Sequence, residues 1–131
     1  MELVITLLLA DDNPRMLAAL VQLLQREFVI VDALASGEEV LAKSDTVCPD
    51  IILLDISLGD LTAFQVSDQL RRRGCPSRIV FLSVHENPEF VRAAIEIGAF
   101  GYVFKSQISR DLVNALHAVA EGNQFFSNSE T

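Results

Sequence analysis

The sequence of 131 residues contains no tryptophan, a single tyrosine and only two cysteines. Cys48 and Cys75 each precede a proline and lie far apart, so they form neither a disulfide framework nor a cysteine metal site, and we expect ordinary reduced thiols. Basic residues are also scarce, since ten Lys and Arg stand against eighteen Asp and Glu for a formal net charge of −8. Because binding to nucleic-acid phosphates depends on Lys and Arg, this balance argues against direct DNA or RNA binding by the chain itself.

Long hydrophobic runs are absent too, although half of the residues are hydrophobic. No apolar run approaches the roughly 20 residues that a membrane-spanning helix needs. The apolar residues 1–10 lack a basic region, and Asp11-Asp12 follows where a signal peptide would have its cleavage site. We therefore expect a cytoplasmic protein without membrane contact, whose apolar residues fill the core of one domain.

Strand-like and helix-like segments alternate five times along the chain. Asn13-Pro14 and Asn87-Pro88 predict helix starts, because Asn caps a helix and Pro fits its first position. Ser36 with Glu39 predicts a capping box, and Ser109 is the expected cap of the fifth helix. The predicted strands are residues 3–10, 28–31, 49–55, 78–83 and 99–104.

Strands that alternate with helices indicate a parallel sheet with right-handed crossovers. Five such units predict the α/β class: a three-layer, doubly wound (βα)5 sandwich, flavodoxin-like, with a parallel sheet in the order 2-1-3-4-5. Residues 1–122 account for this domain. Residues 123–131 change character, being polar apart from Phe125-Phe126.

The chain is organised around Asp55, which follows four consecutive aliphatic residues, 51–54. Such a run predicts a central strand buried on both faces, and ligands of open α/β sheets bind at the carboxyl edge of the strands. In the predicted order the neighbouring first strand ends with Asp11-Asp12, so three carboxylates should converge. Their repulsion requires compensation, and oxygen-only ligands suit Mg2+.

Two further polar residues should reach the same edge of the sheet. Ser83 ends the predicted fourth strand and Lys105 ends the fifth. Together with the acids they suit an anionic phosphoryl group, because a carboxylate can act as a nucleophile and form an acyl phosphate. The metal and Lys105 would neutralise charge on the phosphoryl oxygens, and Ser83 would donate a hydrogen bond to one of them.

With these residues in place, the sequence resembles the receiver domains of bacterial two-component response regulators over residues 7–122. Residues 116–127 (LHAVAEGNQFFS) look like the end of a receiver in the NarL/LuxR-type subgroup. The motifs that carry the resemblance are residues 9–14 (LADDNP), 52–55 (ILLD), 82–83 (LS) and 98–105 (GAFGYVFK).

The resemblance implies a phosphoprotein that receives a phosphoryl group from a sensor histidine kinase. Asp55 would be the phosphoacceptor. Asp12 would bind Mg2+ directly and Asp11 mainly through water, with the main-chain carbonyl of Ser57 as a further ligand. The switch residues would be Ser83, Lys105 and Tyr102.

The sequence departs from the family pattern in the loop after Asp55. Leu58-Gly59 stands where Met-Pro is common, so Gly59 predicts a looser loop and a less preset Ser57 carbonyl. Ser57 and His85 occupy positions that tune phosphoryl lifetime in this family. His85 is expected to be exposed, where it could steer an attacking water or simply be a solvated loop histidine.

The resemblance also implies an output. Residues 123–131 would begin a linker to an absent helix-turn-helix effector domain, through which alone DNA would be bound and transcription controlled. Phosphorylation could drive homodimer formation, and the chain would not be an enzyme beyond weak autodephosphorylation. The alternatives are a stand-alone receiver, a pseudo-receiver that no longer takes phosphate, and a Mg2+-dependent phosphatase. The last would want a second acid where Ser57 stands.

Overall fold

The computed structural model describes residues 4–128 as alternating parallel strands and helices. Within this range no helix is both long and apolar enough to cross a membrane. A 3₁₀ turn, Lys105–Gln107, joins the fifth strand to the last helix. The strands are β1 (Thr6–Ala10), β2 (Val29–Leu34), β3 (Ile51–Asp55), β4 (Arg78–Ser83), β5 (Gly101–Phe104) and β6 (Phe125–Phe126), and the helices are α1 (Pro14–Leu24), α2 (Gly37–Lys43), α3 (Ala63–Arg72), α4 (Pro88–Glu96) and α5 (Ile108–Ala120).

The sheet has the order β2-β1-β3-β4-β5-β6, and every pairing is parallel. The predicted order 2-1-3-4-5 is thus confirmed, and a sixth strand that the sequence did not predict extends it. Alternate residues of β1 and β3 point to opposite faces of the sheet. Leu8 and Ile52 pack with α2, α3 and α4, whereas Leu7 and Ile51 pack with α1 and α5. This double burial explains the unbroken apolar runs.

Three predicted helix starts are confirmed, and one is wrong. Asn13, Ser36 and Asn87 each accept a hydrogen bond from at least one backbone N–H group in the first turn of their helix. The capping box predicted at Ser36 forms only in part, because the Glu39 carboxylate accepts from the Ser36 hydroxyl at 3.3 Å rather than from the Ser36 N–H. Ser109, however, does not cap α5, which starts at Ile108 directly after the 3₁₀ turn and has no side-chain cap. Because that turn already leads the backbone into the helix, Ser109 lies inside the first turn.

The segment after α5 is held to the edge of the sheet by backbone and side-chain bonds. Ser127 donates its backbone N–H to the carbonyl oxygen of Tyr102 at 2.8 Å. Its hydroxyl donates to Asp111 Oδ2 at 2.7 Å and accepts from the Phe104 N–H at 3.2 Å. A side chain at Gly101 would place its Cβ 3.1 Å from the Phe125 carbonyl oxygen, so this close pairing of strands favours glycine there.

Asp111 is the buried acid that anchors this segment, and it generates a prediction about stability. The Arg110 guanidinium, assisted by the Ser127 hydroxyl, holds the pKa of Asp111 below its ordinary value against the effect of burial. A carboxyl whose pKa is depressed by folding stabilises the fold above the pKa of the unfolded chain, about 4, and that contribution is lost as pH falls through the folded-state pKa. We expect Asp111→Asn to lower the free energy of unfolding by about 1–3 kcal/mol at neutral pH.

Urea unfolding at neutral pH and below about pH 4 checks this expectation, because the difference between Asp111→Asn and the unmutated protein should shrink in acid. Asp68→Asn is the matched control, since Asp68 makes only surface ion pairs on α3 with Arg71 and Arg72. Its effect should stay within about 0.5 kcal/mol. A deficit for Asp111→Asn that is equal at both pH values would contradict the assigned role of its charge.

Candidate functional site

The acids that were expected to converge do so at the carboxyl edge of the sheet. The pairing of β1 with β3 sets Ala10 beside Leu54, and the acids follow directly in the chain. Carboxylate oxygens of Asp11, Asp12 and Asp55 all lie within 4.8 Å of one another. The spacing of parallel strands therefore suffices to build the acidic cluster.

Lys105 completes the cluster from the end of β5. Its Nζ lies 3.3 Å from Asp11 Oδ2 and 3.3 Å from Asp55 Oδ1, so one ammonium bridges two carboxylates. Lys105 is the first residue of the 3₁₀ turn, and its side chain reaches back to the acids at the strand ends. These distances confirm the sequence prediction that the Lys105 ammonium faces the acids.

The three acids differ in their surroundings. Asp11 is fully buried and Asp55 is 6% exposed, whereas Asp12 is exposed to solvent. Burial, followed by the negative charge of Asp11, raises the pKa of Asp55 above its ordinary value. The Lys105 ammonium and the Ser57 N–H oppose this shift. Asp55 is thus a poorly hydrated carboxyl group next to a fixed cation, which suits a nucleophile.

The donor set of the cluster fits a hard divalent cation. Asp11 Oδ1 accepts a hydrogen bond from the Asn13 N–H at 2.9 Å. Asp11 Oδ2 is buried and has no hydrogen-bond partner among the described residues, although Lys105 lies within ion-pair distance. A buried carboxylate oxygen with free lone pairs, near two other carboxylates, offers the oxygen ligands that such cations prefer.

The loop between β3 and α3, residues 56–62, carries Ser57 beside the cluster. The Ser57 N–H donates to Asp55 Oδ1 at 3.4 Å, and Ser57 pairs with Thr62 in an antiparallel bridge that closes the base of the loop. Gly59 has φ +87°, and a Cβ built on it would lie 3.3 Å from Asp12 Oδ2. The sequence predicted a looser loop at Gly59. The structure instead shows a loop that is closed at its base by the Ser57–Thr62 bridge and lies against the Asp12 carboxylate.

Ser83, His85 and Tyr102 form a second group at the end of β4. The Ser83 hydroxyl is buried and accepts from the His85 N–H at 2.9 Å. Tyr102 lies in the core, and its hydroxyl donates to the His85 carbonyl oxygen at 2.7 Å. The backbone of His85 thus connects the hydroxyls of Ser83 and Tyr102.

The His85 side chain does not have the exposed position that the sequence suggested. It is partly buried, and its ring stacks on Phe90 with centroids 4.4 Å apart and an angle of 6° between the planes. The apolar face of Phe90 at the start of α4 explains this burial, because stacking removes both rings from water. His85 is therefore held in place by α4 rather than freely solvated.

Sequence reasoning missed two features of the loop after Asp55. Thr62 and Gln65 form a reciprocal capping box at the start of α3, which the Thr-x-x-Gln spacing could have revealed. Asp60 accepts hydrogen bonds from the N–H groups of Gly37 and Glu38 at the start of α2. No local pattern points to that contact, because its partners lie 23 and 22 residues away in the chain.

Comparison with known proteins identifies the family of this chain. The family described as the response regulator receiver domain matches residues 7–117, and the chain belongs to that family. It is 33% identical over 128 residues to the nitrate/nitrite response regulator protein NarL of Escherichia coli K12, covering 96% of this chain and 59% of NarL. It is 36% identical over 120 residues to the positive alginate biosynthesis regulatory protein of Pseudomonas aeruginosa, covering 89% of this chain and 48% of that protein.

Solved structures support the same fold. A LuxR-family two-component response regulator from Aurantimonas sp. SI85-9A1 superposes with a TM-score of 0.89 at 26% identity, covering 94% of this chain and 89% of that one. The isolated receiver domain of RcsB from Salmonella enterica serovar Typhimurium, in the presence of the phosphomimetic BeF3-, gives a TM-score of 0.86 at 21% identity, covering 95% and 94% of the two chains. The chain spans about 59% of the length of NarL.

Tyr102 is the only tyrosine in the chain, so tyrosinate absorbance reports on this one residue. Burial raises the pKa of its phenol above 10.0, and the neighbouring Ser83 hydroxyl partly offsets the shift. The folded protein thus keeps the proton at pH values where the unfolded chain has lost it, and the associated stability is full below pH 10.0 and declines as the pH rises further. We expect alkaline titration to give a higher midpoint for the folded protein than for the protein in concentrated urea. Equal midpoints would contradict the burial of the phenol.

Proposed function

We propose that this receiver domain takes a phosphoryl group from a sensor histidine kinase onto Asp55, with Mg2+ as the cofactor. The observation that carries the proposal is the Lys105 ammonium, 3.3 Å from both Asp55 Oδ1 and Asp11 Oδ2, at the edge of the three-carboxylate cluster. A fixed cation beside a buried carboxylate is suited to stabilise charge that develops on a phosphoryl group.

In the proposed reaction, an Asp55 carboxylate oxygen attacks the phosphorus of a phosphohistidine. The new O–P bond forms as the P–N bond breaks, and the imidazole nitrogen leaves and takes a proton from water. Asp12, Asp11 and the Ser57 carbonyl would hold Mg2+ together with Asp55, and the bound cation supplies positive charge to the phosphoryl oxygens. Lys105 would bind one of these oxygens from the side of β5.

Ser83 and Tyr102 would convert phosphorylation into a change of surface. The Ser83 hydroxyl would donate to a phosphoryl oxygen on Asp55, and any movement of Ser83 displaces the His85 N–H that it binds at 2.9 Å. The His85 carbonyl in turn holds the Tyr102 hydroxyl at 2.7 Å. A shift in these contacts would change the relative populations of the conformations of the surface that α4, β5 and α5 form. Ser57 and His85 would tune how long the phosphoryl group lasts.

The wider role rests on the longer relatives. We propose a cytoplasmic transcription regulator in which residues 123–131 lead to a helix-turn-helix effector domain. Phe125–Phe126 of this segment still belong to the receiver sheet as β6, so the linker itself would begin after them. DNA would be bound only through that domain, and phosphorylation would favour a homodimer. The transcriptional regulatory protein DesR of Bacillus subtilis is 27% identical to this chain over 125 residues, which supports control of transcription as the output. Self-catalysed loss of the phosphoryl group would be slow, so turnover would not be the purpose of the site.

Phosphorylation of Asp55 is tested by incubating the protein with Mg2+ and acetyl phosphate or a cognate kinase. We expect intact-mass analysis to show one added, alkali-labile phosphoryl group that is absent from Asp55→Asn. Asp50→Asn is the matched control, because it removes the same charge next to the opposite end of the same strand. Asp50 is hydrogen-bonded to Thr6 there. This variant should label like the unmutated protein.

The other outcomes of this experiment point to the alternatives. Failure of the unmutated protein to label with any donor would favour a pseudo-receiver. Repeated turnover of a small phosphate ester, well above the spontaneous rate, would favour a Mg2+-dependent phosphatase. Equal labelling of Asp55→Asn would move the acceptor to another residue.

A further inference from the structure

We infer that Asp60 is a positioning residue for the metal and phosphoacceptor site. Its carboxylate ties the β3–α3 loop, residues 56–62, to the start of α2, and thereby fixes the loop backbone against Asp12 and Asp55. The inference rests on the proposed function, because it assigns Asp60 a role in binding the cation at that site. Asp60 is not one of the three acids of the cluster.

Both carboxylate oxygens of Asp60 are engaged by α2. Oδ1 accepts from the Gly37 N–H at 3.0 Å, and Oδ2 accepts from the Glu38 N–H at 3.1 Å. The hydrogen bond from Gly37 is the main cause that holds the pKa of Asp60 below its ordinary value, so the group is ionised at neutral pH. These are the first two N–H groups of α2, which have no acceptor within the helix.

The packing between α2 and the loop keeps this contact short. A Cβ built on Gly37 would lie 3.0 Å from the Leu61 Cβ and 2.8 Å from a methyl group of Val66. The α2 backbone therefore comes so close to the loop and to α3 that a side chain at position 37 would push them apart. With this close approach, the Asp60 carboxylate reaches two adjacent amides from a loop residue next to Leu61.

The other end of the loop touches the acidic cluster. The backbone at Gly59 lies against the Asp12 carboxylate, since a Cβ there would be 3.3 Å from Asp12 Oδ2. Two residues earlier, the Ser57 N–H donates to Asp55 Oδ1 at 3.4 Å. A displacement of this loop would therefore move both the backbone beside Asp12 and the carbonyl that Ser57 would offer to a cation.

A tether from outside the loop has a physical reason in this sequence. Gly59 has φ +87° and, as glycine, gives the free loop more backbone conformations than a residue with a side chain would. A loop that is mobile before the cation binds must be ordered on binding, and this entropy cost weakens affinity. Asp60 would remove much of that cost by ordering the loop in advance.

The test compares Mg2+ affinity by calorimetry in the unmutated protein, Asp60→Ala, Asp60→Asn and Ser36→Ala. Residues that orient metal ligands typically change affinity by 10–100-fold, and because Asp60 acts through the backbone we expect a loss of roughly tenfold in Asp60→Ala. Asp60→Asn retains one acceptor oxygen and should fall between the two. At saturating Mg2+, labelling of Asp60→Ala by acetyl phosphate should approach the rate of the unmutated protein, because the reacting groups are unchanged.

Ser36→Ala is the control for a merely structural role. The Ser36 hydroxyl accepts from the Glu39 N–H at 3.2 Å, so its loss also weakens the start of α2 but leaves the loop tied by Asp60. We expect this variant to lower the melting temperature while keeping the Mg2+ affinity. A loss of affinity in Ser36→Ala equal to that in Asp60→Ala would reduce Asp60 to a helix cap and overturn the inference.

Amide hydrogen exchange without Mg2+ separates this inference from the proposed function. Exchange in residues 56–62 should be faster in Asp60→Ala than in Ser36→Ala, and equal rates would overturn the tether itself. If the unmutated protein neither binds Mg2+ nor labels, the proposed function fails and the positioning role fails with it. If it does both and Asp60→Ala matches it in affinity, only the positioning role fails.

Discussion

The structure of the site depends on one ammonium placed between two carboxylates that the fold has taken out of water. Asp11 and Asp55 would repel each other strongly in the interior, and the Lys105 Nζ at 3.3 Å from each offsets that repulsion. The third acid, Asp12, remains in solvent, where its charge is well hydrated. The cluster thus holds three acids against one base, and its remaining negative charge is what a divalent cation would neutralise.

The elements around this pair differ in how firmly they hold their residues. The acids and Lys105 follow the ends of strands whose core residues are almost completely buried, so their separation is set by the sheet. Ser57 instead lies on a loop. Asp60 of this loop is hydrogen-bonded to the start of α2, and Thr62 pairs with Ser57 at its base. The reactive groups thus lie at rigid strand ends, and the more adjustable residues lie on the loops beside them.

Local patterns were enough to predict the central geometry, because parallel strands bring their carboxyl ends to one edge. Asp55 after four aliphatic residues, Asp11-Asp12 after β1, and Lys105 after β5 were therefore predictable once the order of strands was set. Two of the features that were missed depend on distant contacts. Asp60 meets partners more than twenty residues away, and β6 is a strand only because it pairs with β5. The covering of His85 is a shorter-range effect, because Phe90 lies only five residues further along the chain.

The position of Ser109 inside the first turn of α5, rather than at its cap, is a different kind of miss. A serine before an apolar helical stripe is a good cap signal, but the 3₁₀ turn at Lys105–Gln107 brings the backbone into the helix before that serine is reached. Lys105, which contacts the acids, is the first residue of the same turn. The backbone conformation after β5, rather than the local cap signal, therefore sets where α5 begins.

The sixth strand has a consequence for how the molecule meets its neighbours. It covers β5, so that in the described part of the chain the outermost strands are β6, only two residues long, and β2. On the edge strand β2, Asp32 forms an ion pair with Lys43 at 3.2 Å, so this edge carries charged side chains. Short edge strands and charged edge strands both discourage another chain from pairing with the sheet, so the two edges of this sheet are protected against aggregation.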